Sequence, residues 1–275
     1  MKRSRPLPPA DCDSSQRRGD RTGVSEHGAP ESGPPVLAGR PADVKLEERQ
    51  GIGIVCVGAG RGERFGGDKL AVALPGGTVL ERSLAALAEA LPSSPLAVVL
   101  PAGRMSWWAP RLSRSFPDAR LVAGGTRRQD SVQLGVQAIL DTGVEFVLVH
   151  DAARPLVHPD DIVHVARMVG QAPGVILCRR IPDTVKRVDA QGWVVKTLDR
   201  TDLRLALTPQ GFQIDRLVRA WRMMDRAVTW TDEGMLLEMA GDPVMMVEAL
   251  HPNPKLTTRS DLVWIRNALD TGVSS

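Results

Sequence analysis

A glycine-rich turn follows the first apolar run of the chain and constrains the fold more than any other segment. Residues 52–57 read IGIVCV, and residues 58–69 read GAGRGERFGGDK. An apolar run of this length is typical of a buried strand, and glycines after a strand let backbone N–H groups approach an anion. Arg64 and Lys69 supply two cations a few residues on, so the pattern favours polyphosphate binding. An ordinary strand-to-helix turn with surface charges is the alternative interpretation.

The spacing of this loop differs from two common phosphate-binding motifs. A dinucleotide-binding turn has G-x-G-x-x-G at the start of a helix, whereas Gly58, Gly60 and Gly62 are followed by Glu-Arg-Phe with no further glycine in phase. A P-loop has Ser or Thr after its lysine, and here Lys69 is followed by Leu70. The loop therefore predicts phosphate binding of another kind.

Composition excludes several classes of protein. The chain has 275 residues, enough for one large α/β domain or two small ones. Its net charge is only +3, with Lys and Arg spread along the chain, so no nucleic-acid footprint is present. Cys12, Cys56 and Cys178 show no metal-binding spacing, which predicts a reducing cytoplasm. Neither a membrane span nor a secretory signal is predicted, because no suitable apolar run occurs.

Residues 1–49 are predicted to be a disordered extension of a single domain at residues 50–275. Prolines recur in this segment and aliphatic clusters are almost absent, so it cannot bury enough apolar surface to offset the entropy of ordering. Acidic residues such as Asp11, Asp13 and Asp20 argue against a plastid transit peptide. A tail or an over-extended start site is the interpretation, and we expect deletion of residues 1–48 to leave activity intact.

Strand-like and helix-like segments alternate from residue 51 onward. Strands are predicted at 52–57, 96–100, 145–149 and 174–178, and helices at 79–91, 130–140 and 160–169. This rhythm predicts an α/β fold, a mostly parallel twisted sheet with helices on both faces, which binds ligands at the carboxyl edge of its strands. Residues 182–203 break the rhythm and predict a projecting β-hairpin arm. The arm packs either on its own domain or against a second subunit.

The motif HDAARP at residues 150–155 places a carboxylate and a guanidinium at the end of a predicted strand. Asp151 can bind a metal ion or a ribose hydroxyl there, and Arg154 can bind a phosphate in bidentate fashion. A surface pair between the two side chains is the alternative. His150 by itself indicates little, because a histidine beside a strand end is more often structural.

Shorter motifs complete the set of candidates. Residues 124–132 read GGTRRQDSV, and Gly125 and Ser131 can present N–H groups and a hydroxyl at a helix start. A simple helix cap at Ser131 or Asp130 is the alternative there. The other motifs are DT at 183–184, DR at 199–200, TPQ at 208–210, TDE at 231–233 and NPKLT at 253–257. The TDE motif is typical of a capped helix with an acidic first turn.

Together and in this order, these motifs resemble those of the 2-C-methyl-D-erythritol 4-phosphate cytidylyltransferase family of the non-mevalonate isoprenoid pathway. The resemblance covers about residues 52–270, and HDAARP is its most specific motif. It implies a Rossmann-like nucleotidyltransferase fold and a reaction of CTP with methylerythritol phosphate that releases pyrophosphate. It also implies in-line attack of the substrate phosphate on the α-phosphorus, without a covalent enzyme intermediate.

The resemblance further implies a role for each candidate residue. Arg64, Lys69 and Lys255 would be catalytic cations that neutralise the triphosphate. Mg²⁺ or another divalent cation would bridge the phosphates, with Asp151 beside it. The nucleotide-binding residues would be Gly58, Ala59, Gly60, Gly62, Gly125, Ser131, Asp151 and Ala152. The sugar phosphate would be bound by Arg154, Thr184 and Arg200, the last two reaching the partner's site in a homodimer that is formed through the arm.

The glycine-rich loop departs from the family pattern. The family usually has Pro-Lys-Gln where this chain has Asp68-Lys69-Leu70 in a shorter loop, which is similar to nucleotidyltransferases that modify the molybdopterin cofactor. Those enzymes would not be expected to carry HDAARP or the hairpin. Ribitol-5-phosphate cytidylyltransferase stays an alternative, and so does a silent nucleotide-binding relative. No second catalytic domain follows in this sequence, so we expect no fused next-step enzyme.

Overall fold

The computed structural model describes residues 51–60, 62–225 and 227–272. The extension predicted at residues 1–49 lies outside them. The strands in these ranges are β1 (Ile52–Val57), β2 (Ala73–Leu74), β3 (Gly77–Thr78), β4 (Leu96–Leu100), β5 (Arg120–Ala123), β6 (Phe146–Asp151), β7 (Gly174–Arg180), β8 (Lys186–Val188), β9 (Val194–Thr197), β10 (Arg204–Gln213) and β11 (Val244–Glu248). The α-helices are α1 (Val79–Ala90), α2 (Met105–Ser115), α3 (Arg128–Gln137), α4 (Pro159–Met168), α5 (Ile214–Met223), α6 (Glu233–Met239) and α7 (Arg259–Asp270).

A seven-stranded sheet runs through the described region in the order β11-β7-β10-β6-β1-β4-β5. Its strands are parallel except β10, which is antiparallel to both β6 and β7. The register pairs Val57, the last residue of β1, with Val99 of β4 and Asp151 of β6. The predicted mostly parallel sheet is therefore confirmed, and the loops after β1, β4 and β6 converge at one edge.

Helices cover both faces of this sheet, as predicted. Alternate side chains of β1 enter two separate apolar layers, with Ile52, Ile54 and Cys56 in the layer formed with α1, α2, α4 and α7. Val55 and Val57 enter the other layer, formed with α3, α5 and α6. A strand that is buried on both faces reads as a continuous apolar run, which is why its sequence was recognisable.

The observed bounds of the elements agree best with the predicted bounds for the buried strands. The ranges of β1 and β4 match the prediction, whereas α3 begins two residues earlier than predicted and ends at Gln137. Residues 140–142 instead form a separate 3₁₀ turn that ends at Gly143, whose φ is 74°. Helix α2 and strand β5 escaped prediction because α2 contains Pro110 and β5 has no fully buried residue.

The hairpin predicted at 182–203 is present as a two-stranded sheet of its own, formed by β8 and β9. Every residue of both strands is exposed. Trp193 at the turn is 75% exposed, and Val194 and Val195 are exposed as well. Of the two predicted alternatives, packing on its own domain is therefore wrong for the described residues.

The described helices are short. The longest, α1 and α7, have 12 residues each, and no helix of the described region has the length and apolar character to cross a membrane. Cys56 and Cys178 are buried free thiols in β1 and β7, whereas Cys12 lies outside the described residues. Both described thiols therefore act as small apolar core residues.

Candidate active site

Two adjoining clefts lie where the loops after β1, β4, β5 and β6 converge. The outer cleft has a volume of ≈ 960 Å³ and the inner one ≈ 160 Å³. The residues that line both are Ala59, Gly60, Lys69, Gly125, Thr126 and Lys255. Ligand sites commonly have volumes of several hundred Å³, so the two clefts together can hold a nucleoside triphosphate.

The glycine-rich loop forms one wall of the outer cleft. The loop leaves β1 with a hydrogen bond in which Gly58 N donates to Val99 O at 2.7 Å. Gly62 has φ of 66°, and a Cβ there would lie 2.5 Å from the carbonyl oxygen of Gly67. A side chain at this position is therefore excluded by both backbone conformation and space. Arg64 is exposed and lines the outer cleft.

Lys69 lies in the clefts in spite of the shortened loop. It begins a 3₁₀ turn in which Asp68 Oδ1 accepts the N–H of Leu70 at 3.2 Å. Asp68 is itself paired with Arg104 at 2.9 Å. The Lys69 ammonium donates to Leu256 O at 2.8 Å, so the short loop delivers its cation to the segment beside Lys255.

The cations here repel one another in the absence of an anion. Burial lowers the pKa of Lys69, and the neighbouring Lys255 lowers it further, with a smaller contribution from Arg64. Asp151 acts in the opposite direction. A polyphosphate would relieve this repulsion, because like charges at short range disfavour the charged form of each group.

Asp151 is the centre of the ion-pair network. Its Oδ2 accepts from Lys255 Nζ at 2.8 Å and lies 3.7 Å from Arg154 Nε, while its Oδ1 lies 3.4 Å from Arg128 Nε. Burial raises the pKa of Asp151, but these cations outweigh burial and hold the pKa well below its usual range. Asp151 is therefore a carboxylate throughout the physiological pH range.

Arg128 is held from the other side by a buried carboxylate. Its Nη1 donates to Glu233 Oε2 at 2.8 Å, and the Glu233 side chain is fully buried. Burial raises the pKa of Glu233, an effect that the charge of Arg128 opposes. Arg128 lines the inner cleft, so its pairing with Glu233 orients one of the cations of that cleft. The predicted cap at 231–233 is also present, since Asp232 accepts the N–H of Met235 at 2.9 Å.

A hydrogen-bonded scaffold behind Asp151 joins three distant segments. Thr208 Oγ1 accepts from Asp151 N at 3.1 Å and lies 3.2 Å from His150 Nδ1. Asn253 Nδ2 donates to Thr208 O at 2.7 Å, and Arg154 Nη1 donates to Asn253 O at 2.7 Å. Asp151 and the segment that carries Lys255 are thereby held in register.

The turn before α3 closes over the inner cleft. Ser131 Oγ accepts from Gly125 N at 3.1 Å and donates to Arg127 O at 3.1 Å. A Cβ at Gly124 would lie 2.1 Å from the Cβ of Ala59, so only glycine lets the two loops meet. The predicted cap at Ser131 or Asp130 is wrong in position, because Arg127 is the capping residue and Asp130 reaches back to its N–H at 3.1 Å.

The structure brings most of the candidates together. The predicted residues that line the clefts are Gly58, Ala59, Gly60, Gly62, Arg64, Lys69, Gly125, Ser131, Asp151 and Lys255. Ala152 is buried next to them, where its carbonyl accepts from Ser83 Oγ. Arg154 is 7% exposed and lines neither cleft.

Two candidates lie apart from the clefts of their own chain. Thr184 and Arg200 are exposed residues at the base of the arm, and the Arg200 guanidinium contacts Pro182 O. They belong to this site only if a second subunit brings its arm to it.

Sequence reasoning did not assign roles to Arg128, Glu233 and Thr257. Arg128 and Thr257 line the clefts, and both lie inside motifs that were recognised. Glu233 was read as part of a helix cap because its burial against Arg128 depends on contacts across 105 residues of sequence. No local signal distinguishes such a residue.

Cations that converge on a glycine-rich turn at the carboxyl edge of a mostly parallel sheet define an α/β nucleotidyltransferase. The family model described as IspD: 2-C-methyl-D-erythritol 4-phosphate cytidylyltransferase matches residues 52–270. The chain belongs to this family.

Individual relatives agree with this assignment. A 2-C-methyl-D-erythritol 4-phosphate cytidylyltransferase of Frankia casuarinae is 39% identical over 216 residues, which cover 77% of this chain and 79% of the relative. The bifunctional enzyme IspD/IspF of Rhodospirillum rubrum is also 39% identical, over 77% of this chain. The chain spans 55% of the length of that relative. A crystal structure of 4-diphosphocytidyl-2C-methyl-D-erythritol synthase superposes with a TM-score of 0.69 at 29% identity, covering 81% of this chain and all of that one.

Proposed function

We propose that the chain transfers a cytidylyl group from CTP to 2-C-methyl-D-erythritol 4-phosphate. The products are 4-diphosphocytidyl-2-C-methyl-D-erythritol and pyrophosphate, in isoprenoid precursor biosynthesis. The family match over residues 52–270 carries this proposal, and the cluster of cations at the clefts supports it. Soluble phosphorylated substrates and the buried, unpaired Cys56 and Cys178 favour a cytoplasmic enzyme.

The nucleotide is proposed to bind with its base in the inner cleft. The backbone at residues 58–60, Gly125 and Ser131 lies there, and the bond between Ser131 Oγ and Gly125 N gives that wall a fixed shape. Asp151 and Ala152 lie at the end of β6, and the family resemblance assigns the ribose to them. The triphosphate then extends into the outer cleft toward Arg64.

Catalysis is proposed to rest on charge neutralisation and alignment. When the sugar phosphate attacks the α-phosphorus, negative charge grows on the pentavalent centre and on the leaving pyrophosphate. Lys69 and Lys255 face the region between the clefts, and Arg64 lies at the outer end. Such fixed cations stabilise the transition state without reorganisation, and holding both reactants in line removes much of the entropic barrier.

Mg²⁺ is proposed as the cofactor, held mainly by the nucleotide. Asp151 is the one carboxylate among the described residues that line the clefts, and both its oxygens already face cations. Mg²⁺ commonly keeps several waters and binds one or two carboxylates together with substrate phosphates, so a single carboxylate fits. When bound, the ion would neutralise phosphate oxygens beside Asp151.

The second substrate is proposed to bind between two subunits. Arg154, Thr184 and Arg200 are the residues that the family resemblance assigns to the sugar phosphate. Thr184 and Arg200 lie on an arm that exposes Trp193, Val194 and Val195 near its turn. This exposed apolar surface supports a homodimer in which Thr184 and Arg200 complete the partner's site. Arg154 holds the backbone of Asn253, so it also positions the segment that leads to Lys255.

The experiment that tests the substrate is a direct comparison. Purified protein is given CTP and Mg²⁺ with either methylerythritol phosphate or ribitol 5-phosphate, and pyrophosphate release is measured. We expect faster turnover with methylerythritol phosphate. Faster turnover with ribitol phosphate would overturn the proposed substrate, and CTP binding without any turnover would favour a silent relative.

A further inference from the structure

Two imidazoles and a carboxylate form a cluster outside the clefts. His158 precedes α4, Asp160 lies in the first turn of that helix, and His251 follows β11. Asp160 Oδ2 lies 3.6 Å from His158 Nδ1 and 3.6 Å from His251 Nε2. One ligand atom of each residue lies within 4.8 Å of the others. The two rings are stacked, with centroids 3.6 Å apart.

We propose that His158, Asp160 and His251 bind a divalent transition-metal ion of the Zn²⁺ class. Two imidazoles and one carboxylate suit Zn²⁺, which leaves the fourth position of a tetrahedral site to water. Metal–ligand bonds of about 2.0–2.1 Å place ligand atoms about 3.3 Å apart in that geometry. The two separations of 3.6 Å are therefore close to those required. Binding needs the stacked imidazole rings, whose planes differ by 20°, to turn toward one point, and it needs His158 Nδ1 to release the N–H of Asp160 that it accepts at 3.2 Å.

A second carboxylate lies beside the cluster. The neighbouring Asp161 carboxylate accepts from Leu250 N at 2.7 Å and from His251 N at 3.3 Å, which fixes the backbone that carries His251. The positive end of the α4 dipole disfavours a cation, and two carboxylates in the first turn offset it.

The ion would join two segments that meet beside the active site. One segment follows Asp151 and the other leads to Lys255, and they are already linked where Leu256 N donates to Ala153 O at 2.8 Å. The bond from Arg154 Nη1 to Asn253 O is a second link. A metal ion bound by His158 and His251 would form a third link between the two segments, farther from the clefts. It would hold the loop of Lys255 in place without contacting substrate.

The test uses the full-length chain, freed of metal, with no nucleotide present. Zn²⁺ alone is titrated by calorimetry, and Co²⁺ is added separately to record visible absorption. The test variants are His251→Gln and Asp160→Asn. The matched control is Asp215→Asn, because Asp215 is an exposed acid in the first turn of α5.

We expect the wild-type protein to bind one Zn²⁺ at this site, with tetrahedral Co²⁺ absorption and a higher unfolding temperature in Zn²⁺. Each test variant should weaken Zn²⁺ affinity at least tenfold and lose the thermal shift, and the control should retain both. Mg²⁺ should not displace the ion, because it prefers oxygen ligands. If a test variant fails to fold, His158→Asn replaces it, since Asn also caps helices.

Two results would overturn the proposal. One is the absence of Zn²⁺ binding by the wild-type chain. The other is equal affinity in wild type and both test variants, which would place the ion elsewhere in the chain. Neither result bears on cytidylyl transfer, which the pyrophosphate assay measures independently.

Discussion

Lys255 and Asp151 form an ion pair of 2.8 Å between Nζ and Oδ2, although 104 residues separate them in the chain. The other carboxylate oxygen faces Arg128 at 3.4 Å. One buried carboxylate thus partly neutralises several cations, and the excess positive charge around the clefts is left for a polyphosphate. This arrangement couples the stability of the site to its capacity to bind an anion.

Asp151→Asn tests the central role of Asp151 in holding this network together. Removing the charge leaves Arg128 and Arg154 in a largely buried setting without their shared partner, so we expect a loss of about 3 kcal/mol in the free energy of unfolding. Urea unfolding measures it. Asp141→Asn is the control, because Asp141 pairs with Arg120 at the exposed surface, where solvent screens the pair, and the loss there should be much smaller than for Asp151→Asn. Equal losses in the two variants would contradict the central role of Asp151.

Lys69→Ala tests the proposed catalytic cation. The ammonium makes one described hydrogen bond, to Leu256 O, so we expect little change in stability but a fall in turnover of about 100-fold or more. Pyrophosphate release at saturating CTP measures the fall. Arg222→Ala removes an exposed cation from the last turn of α5 and should leave turnover unchanged. An unchanged rate in Lys69→Ala would refute the assigned role.

Gly124→Ala tests the contact between the two cleft loops. The added methyl would lie 2.1 Å from the Cβ of Ala59, so the loops must separate, and we expect the KM for CTP to rise about tenfold or more. Gly103→Ala is the matched control, because a Cβ there has open space. The KM for CTP is obtained from initial rates over a range of CTP concentrations. Equal KM values for wild type and Gly124→Ala would count against a nucleotide between these loops.

His150 predicts a pH dependence of stability. Complete burial lowers the pKa of His150 to about 3, so between pH 6.5 and pH 3 the unfolded state binds more protons here than the folded state. The contribution of His150 is fully present above pH 6.5 and is lost as the pH falls, by up to about 1.4 kcal/mol per pH unit. His150→Gln should therefore show a shallower loss of unfolding free energy from pH 6.5 to pH 4 in urea titrations. Identical slopes of unfolding free energy against pH in wild type and His150→Gln would contradict this role of His150.

Trp193→Asp tests the proposed homodimer. Trp193 is 75% exposed at the turn of the arm, and a charge there should oppose its burial against a partner. We expect analytical ultracentrifugation to show a dimer for wild type and a monomer for the variant. Met223→Asp places the same charge on an exposed apolar residue of α5 and should stay dimeric. A wild-type monomer would refute the homodimer.

The parts predicted from sequence are those with local signals. Strands β1 and β4 are continuous apolar runs because both faces are buried, and the arm was recognisable because its polar turn interrupts the α/β rhythm. The motifs predicted that Lys69, Asp151 and Lys255 belong to one site. The pairing of Arg128 with Glu233 could not be predicted, because burial of a carboxylate far along the chain leaves no pattern near it. The position of Arg154 behind the clefts had no local signal either.

By itself, the sequence determined the fold class, the family and the edge of the sheet where the site lies, because side-chain periodicity and motif order are properties of the linear chain. Only the tertiary structure decided which carboxylate neutralises which cations. It showed that Asp151 is shared among cations from three segments, that Lys69 reaches the segment of Lys255 from a shortened loop, and that both strands of the arm are exposed within the described region. Those relationships depend on distances between residues remote in sequence, and folding alone sets those distances.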